Sequence, residues 1–374
     1  VNLLPDESAR ILAHGVDSLV ITADVLWKDL ATFKVLEELK QSAISKDEDV
    51  PGKANLGGGD VFLFLLRPFG AGGYAWLLNS RDITFKIGNW KEPISRPSVI
   101  AEIRSEALWA QGVGVMVSQV VRIIKAWGGE VQSVRVSRVD VCVDVLMRED
   151  DWTLGLLDQF VTRANDLHPY LRRKVLTGIQ VGKGAILARL YDKPIEIRDR
   201  SGKIWMYDIW GIESVPDGHR IIRVEFQLRR ELLKSLRIDS VDDLLQLLPM
   251  IWAYCTQNWL KVQTGTGDHH TQRHTVAWWR VVQEGVDGAL DCNPSVRRIA
   301  NVAEINRTLA MIRSYIISYT AVMMSGRYVP KDQTITYRDA IQTVKQHLVS
   351  QGFTDEEFTE RVKAKQAKND RIRE

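Results

Sequence analysis

Ser137–Val145 reads SRVDVCVDV and Arg223–Arg229 reads RVEFQLR. Side chains alternate across a β-strand. In the first stretch Val139, Val141, Val143 and Val145 therefore share one face, and Arg138, Asp140, Cys142 and Asp144 share the other. In the second, Val224, Phe226 and Leu228 oppose Arg223, Glu225, Gln227 and Arg229. Both stretches predict strands with an apolar face toward a core and carboxylates on the opposite face. Carboxylates so placed repel one another unless a cation lies among them. Two readings follow: arginines pair with the acids in a polar ladder, or Asp140, Asp144 and Glu225 hold a hard divalent cation, Mg²⁺ or Mn²⁺.

Between these strands lies Leu187–Lys193, LARLYDK, in which the alternation puts Arg189, Tyr191 and Lys193 on one face. A tyrosine flanked by two cations suits attack on a phosphodiester. The cations are expected to favour the phenolate, hold the phosphate and offset charge in the transition state. A structural, half-buried strand tyrosine is the plainer alternative. Ile179–Val181 and Ile186–Asp192 predict a hairpin turning at Gly182-Lys183-Gly184, with Lys183 at its tip. This accounts for the glycines of Thr177–Gly184 without a phosphate loop, whose spacing and terminal Ser/Thr are missing.

Upstream, strands are expected at Val16–Val25, Val61–Leu66, Tyr74–Leu78 and Ser98–Arg104. Helices are expected around Trp27–Leu39 and from Gln111 to Trp127, where Gly128-Gly129 ends the run. The order then repeats: a strand at Val134–Val145, a helix at Trp152–Leu167, the hairpin, a second hairpin or loop at Ile204–Trp210, and the strand Ile221–Arg229. The expectation is an α+β fold in which duplicated strand–helix–hairpin–strand units form a largely antiparallel curved sheet. From about Asp239 the pattern turns helical, including Val302–Met324, and the last residues are almost all polar. Residues 1–132 are read as the N-terminal half of a catalytic and DNA-binding domain, 133–285 as the half with nucleophile and acids, and 286–374 as a helical region with a polar tail.

The 374 residues carry a net charge of +3, too small to argue for a nucleic-acid partner by itself. The charge is uneven, however: Arg172, Arg173, Lys174, Lys183, Arg189, Lys193, Arg198, Arg200 and Lys203 crowd the middle of the chain, and Arg223, Arg229, Arg230, Lys234 and Arg237 follow. Such a patch suits a phosphate backbone, and some of the 12 tryptophans could stack unpaired bases. No apolar run approaches the roughly 20 residues of a membrane span, and no secretory signal opens the sequence. The three cysteines, Cys142, Cys255 and Cys292, fit no zinc spacing and suggest reduced thiols, so a cytoplasmic location is expected. His269, His270 and His274 sit in a loop-like stretch without the spacing of a metal-binding helix.

The succession SRVDVCVDV, GIQVGKGAILARLYDK and RVEFQLRRE resembles the trans-acting rolling-circle replication initiators of plasmids and phages, and the related relaxases of conjugative elements. The likeness runs over roughly 15–285 and includes GVDSLVITADV near the start and RHTVAWW (Arg273–Trp279) near the end. The resemblance implies metal-dependent transesterification on one strand of an origin, with Tyr191 forming a 5′-phosphotyrosine bond and the freed 3′-hydroxyl priming synthesis. It implies Asp140, Asp144 and Glu225 as metal ligands, with Arg189 and Lys193 assisting the tyrosine. Lys183, Arg138, Arg223, Arg229, Arg273, Trp278 and Trp279 are the expected DNA contacts. The expected partners are supercoiled or single-stranded origin DNA, a helicase of the host or element, and a second copy of the chain. A conjugative relaxase, a water-using metal nuclease and a non-catalytic origin-binding protein are the competing functions.

Overall fold

The polar and apolar faces of Ser137–Val145 meet in the longest strand of an 11-stranded antiparallel sheet. A computed structural model describes residues 9–203, 205–264, 273–286, 309, 311–323 and 335–363. The chain divides into two units, Val1–Val296 and Arg297–Glu374.

The first unit is built around β1 (Ala9–Trp27) and β7 (Gly129–Arg148), which pair antiparallel along nearly their whole length. After β1 come α1 (Ala31–Lys46), β2 (Val50–Gly57), β3 (Asp60–Leu66), β4 (Trp76–Asn79), β5 (Ile83–Ile87) and β6 (Val99–Ile103). Helices α2 (Ser105–Gln111) and α3 (Val113–Ala126) lead into β7. Beyond it lie β8 (Phe160–Thr162), β9 (Leu167–Arg172), β10 (Val175–Val181), β11 (Ile186–Asp192), α4 (Lys193–Glu196), α5 (Met206–Trp210) and β12 (His219–Arg229). The large sheet has the order β2-β3-β4-β5-β6-β1-β7-β12-β11-β10-β9. Each half sets its first strand beside its last, β1 beside β6 and β7 beside β12, and the halves join through β1 and β7. The expected repeat is thus present in the topology, and the α+β, largely antiparallel class holds.

The valine face of β7 is the core. Phe226 packs edge-on against Trp252 of α7 (Val241–Tyr254) and against Trp259. A β-carbon on Gly285 would come within 2.7 Å of Val143, so the chain after α8 (Ala277–Gln283) approaches as closely as glycine permits. Helix α7 starts at a capping box in which the Ser240 side chain accepts from the Asp243 N–H. Between β12 and α7 lies α6 (Arg230–Ser235), and β13 (Leu260–Thr264) joins β14 (His274–Thr275) and β8 in a small second sheet.

Three local expectations are corrected. Trp152–Leu167 is not a helix but 3₁₀ turns at Glu149–Asp151 and Leu154–Gln159 followed by β8. Its end, Asn165-Asp166-Leu167-His168-Pro169, lacks a continued helical stripe and carries a proline that cannot donate within a helix. The expected hairpin or loop at Ile204–Trp210 contains α5, because Met206 and Trp210, four residues apart, bury one helical face against Ala13, Leu146 and Ile221. Lys193 starts α4 instead of extending β11, with the Asp192 carboxylate accepting from the Ile195 N–H as the cap.

In the second unit, residues 311–323 are helical and a further helix covers Tyr337–Ser350, capped by Thr336 and Asp339. Val302–Met324 is therefore described only in part. Cys292, His269, His270 and the end of the polar tail lie outside the described residues, as does Ile204. Among the described residues no single helix is long and apolar enough to cross a membrane.

Candidate active site

Both faces of β7 are buried from Val139 to Met147, so its acids do not stand on a half-solvated surface. At one end the polar face is roofed by α2 and α5. Asp144 and Arg223, each 0% exposed, face one another across β7 and β12, as their register requires. Arg223 Nε and Nη2 each donate to Asp144 at 2.7 Å, and Trp210 Nε1 donates to its Oδ2 at 2.8 Å. The remaining guanidinium nitrogen, Nη1, donates to Asp17 at 2.6 Å. Asp17 also accepts from Ser105 at 2.8 Å and Trp109 at 3.3 Å. Burial pushes the Asp17 carboxyl up, but Arg223, then Lys203 and Lys193, hold it well below the usual carboxylate range.

This overturns two assignments. Arg223 is no DNA contact, since it lies wholly inside the fold with three hydrogen bonds to acids. Asp144 is no metal ligand here, since both oxygens are engaged by a buried guanidinium and an indole. Asp17, absent from the sequence-derived site, is the missed member. It stands at the β1 irregularity between Val16 and Ser18, which breaks the strand's alternation.

Toward β9 the same face opens into a cleft of about 660 Å³. Its floor is Gly178, Gln180, Arg189, Tyr191 and Glu225, and one wall is formed by Ile195, Glu196, Asp199 and Arg200. Tyr191 donates to Glu225 Oε2 at 3.1 Å, while Arg189 donates to Glu225 Oε1 at 2.8 Å and to Gln227 at 2.9 Å. Lys193 Nζ lies 5.4 Å from the centre of the Tyr191 ring and donates to Glu196 at 2.6 Å. Arg189, Tyr191 and Lys193, expected to share one face, are therefore brought together with Glu225, expected as a metal ligand.

Its electrostatics differ from expectation. Burial and the adjoining Glu225 carboxylate push the Tyr191 phenol well above its ordinary value. The cations do not favour phenolate, because Arg189 is committed to Glu225 and Lys193 to Glu196. Burial, then the Asp17 and Asp140 carboxylates, raise Glu225 as well. A phenol kept protonated beside a carboxylate of raised basicity has the form of a nucleophile paired with a general base, and Arg189 fixes the position of that carboxylate.

Arg138, 33% exposed, grips Asp140 with Nε and Nη2, both at 2.8 Å. Asp140 lies 4.0 Å from Arg189, which stands between it and Glu225. Among the described residues, no group of three His, Cys, Asp or Glu side chains is placed to share a metal ion. The residues as arranged do not fit the three-acid site for Mg²⁺ or Mn²⁺: Asp144 is bound to Arg223, and a guanidinium fills the space between the other two acids.

Of the remaining expected DNA contacts, Lys183 and Arg229 are exposed, Lys183 at the hairpin tip 3.2 Å from Asp166. Trp278 and Trp279 are core residues, 3% and 0% exposed, and Trp279 Nε1 donates to the Thr256 carbonyl. Neither ring presents a face for a base to stack upon. Arg273 is partly buried beside β14.

The sequence matches no protein-family model, and no curated protein is significantly similar to it.

Proposed function

We propose that this chain is a DNA strand-nicking and strand-joining enzyme that attacks one phosphodiester with Tyr191, in the manner of the rolling-circle initiators its sequence resembles. The observation that carries the reading is the Tyr191–Glu225–Arg189 chain of hydrogen bonds on the floor of an open cleft. The Tyr191 oxygen attacks phosphorus as its proton passes to Glu225. The P–O3′ bond breaks, a 5′-phosphotyrosine bond forms, and the 3′-oxygen leaves protonated by water, free to prime synthesis. Arg189, 37% exposed and lining the cleft, is a cation available to the reacting phosphate. A water-using nuclease would leave no covalent adduct, and a non-catalytic origin binder would not cut.

The raised Glu225 carboxyl sets the pH dependence. The base works only when ionised, so nicking falls as pH drops through the Glu225 pKa, which lies above the ordinary glutamate value. Glu225→Gln should lower the single-turnover rate by about 10²–10⁴-fold and remove that acidic limb. A Glu225→Gln enzyme retaining both rate and limb would exclude the base role. Substrate form is a second test. A phosphate in a regular duplex cannot enter a cleft against a sheet face, so supercoiled and single-stranded DNA should be nicked at least about tenfold faster than the same sequence as relaxed linear duplex. Equal rates on all three would show that the protein opens duplex unaided.

A further inference from the structure

Gly178 on β10 is in register with Tyr191 on β11 and with Tyr170 on β9. The three form one row across the floor of the cleft, with the glycine in the middle. A β-carbon at Gly178 would lie 3.3 Å from the Tyr191 β-carbon and 3.7 Å from the Tyr170 ring, so any larger side chain would fill the space between the two phenols. Strands two apart stand roughly 9.5 Å from one another. One flat ring between two others takes two van der Waals separations, roughly 7–8 Å. The hydrogen bond to Glu225 draws the Tyr191 phenol toward β12, away from β10. Tyr170 is 52% exposed on the outermost strand, its hydroxyl 3.4 Å from Gln180. The β9–β10 turn ends in Arg173 and Lys174, both with positive φ, 47° and 67°, a conformation that L residues adopt at a cost. That turn sets two exposed cations at the end of the hairpin that carries Tyr170.

We propose that the Tyr170–Gly178–Tyr191 row is a nucleobase subsite, in which a base of an unpaired strand stacks on Tyr170 and sets the neighbouring phosphate against the Tyr191 hydroxyl. Gly178 is the residue that leaves room for the base. Tyr170 is a positioning residue, and Arg173 and Lys174 meet the backbone further along. The inference rests on the nicking assignment for the identity of the ligand, but its test does not require cleavage.

The test uses the full chain and a labelled 20-nucleotide oligothymidylate, with an abasic 20-mer of the same backbone as control. Tyr170→Ala should weaken oligothymidylate binding about tenfold, Tyr170→Phe should restore it to within about twofold, and neither should alter binding of the abasic strand. Tyr170 is exposed on an edge strand, and circular dichroism of each variant checks that the fold is kept. Equal affinities of wild type and Tyr170→Ala for oligothymidylate, or equal losses on both strands, would overturn the subsite. If a covalent adduct forms while Tyr170→Ala binds as wild type, the subsite fails and the Tyr191 assignment stands. If stacking is present and no adduct forms, the subsite stands and the nicking assignment fails.

Discussion

Tyr191→Phe should cut single-turnover nicking by at least about a thousandfold, with DNA affinity within about twofold of wild type and the fold kept, the unfolding midpoint falling only by the loss of one hydrogen bond. The substitution deletes one oxygen. It removes the attacking atom and the hydrogen bond to Glu225 but leaves the ring, the adjoining Lys193 and the Arg189–Glu225 pair in place. The loss is that of a step that cannot proceed without its nucleophile, and it falls on the rate and not on binding. A Tyr191→Phe enzyme that nicks at even a tenth of the wild-type rate would make the tyrosine structural. The other cleft tyrosine, Tyr170, would then need a base, and its hydroxyl reaches only Gln180.

Asp144→Ala should destabilise the protein by about 3–5 kcal/mol, read as a drop in the denaturant midpoint, because it leaves the Arg223 charge buried with half its partners gone. Acid should act on the same network through Asp17. A carboxyl whose native pKa is depressed contributes stability above its unfolded pKa, and that contribution is lost as pH falls through the native value. If Asp144→Ala left stability unchanged while weakening Mg²⁺ or Mn²⁺ binding, the buried ion-pair role would be wrong and the ligand role restored.

The two outcomes separate what the sequence makes legible from what it hides. Period-2 alternation reveals β7, β11 and β12, and the glycines reveal the β10–β11 turn, since these are local patterns. Strands β2 and β5 escape: VPGKANLG is rich in Gly, Pro and Asn, and it pairs only because the three glycines Gly57–Gly59 return the chain onto β3. Alternation also places Arg189, Tyr191 and Glu225 on one open face, which is why Tyr191 and its neighbours are legible. It cannot tell which residues are roofed. Arg223 and Glu225 are two residues apart on the same face, yet Trp210, Ser105 and Trp109 cover the Arg223 network while Glu225 lines the cleft. The decisive pairing, Arg223 with Asp17, spans 206 positions and depends on an irregularity in β1 that no local period announces. Trp278 and Trp279 show the same limit, for an aromatic pair reads alike whether it faces a base or a core.

The most direct test of attack by Tyr191 is to trap and map the covalent intermediate. The full chain is incubated with supercoiled plasmid bearing its own gene and flanking DNA, with and without Mg²⁺ or Mn²⁺, then denatured, digested with nuclease and protease, and examined by mass spectrometry. Attack by Tyr191 leaves a nucleotide joined through its 5′-phosphate to the peptide containing Tyr191 and to no other tyrosine. Strand cleavage without an adduct, or an adduct on Tyr170 or Tyr207, would contradict it.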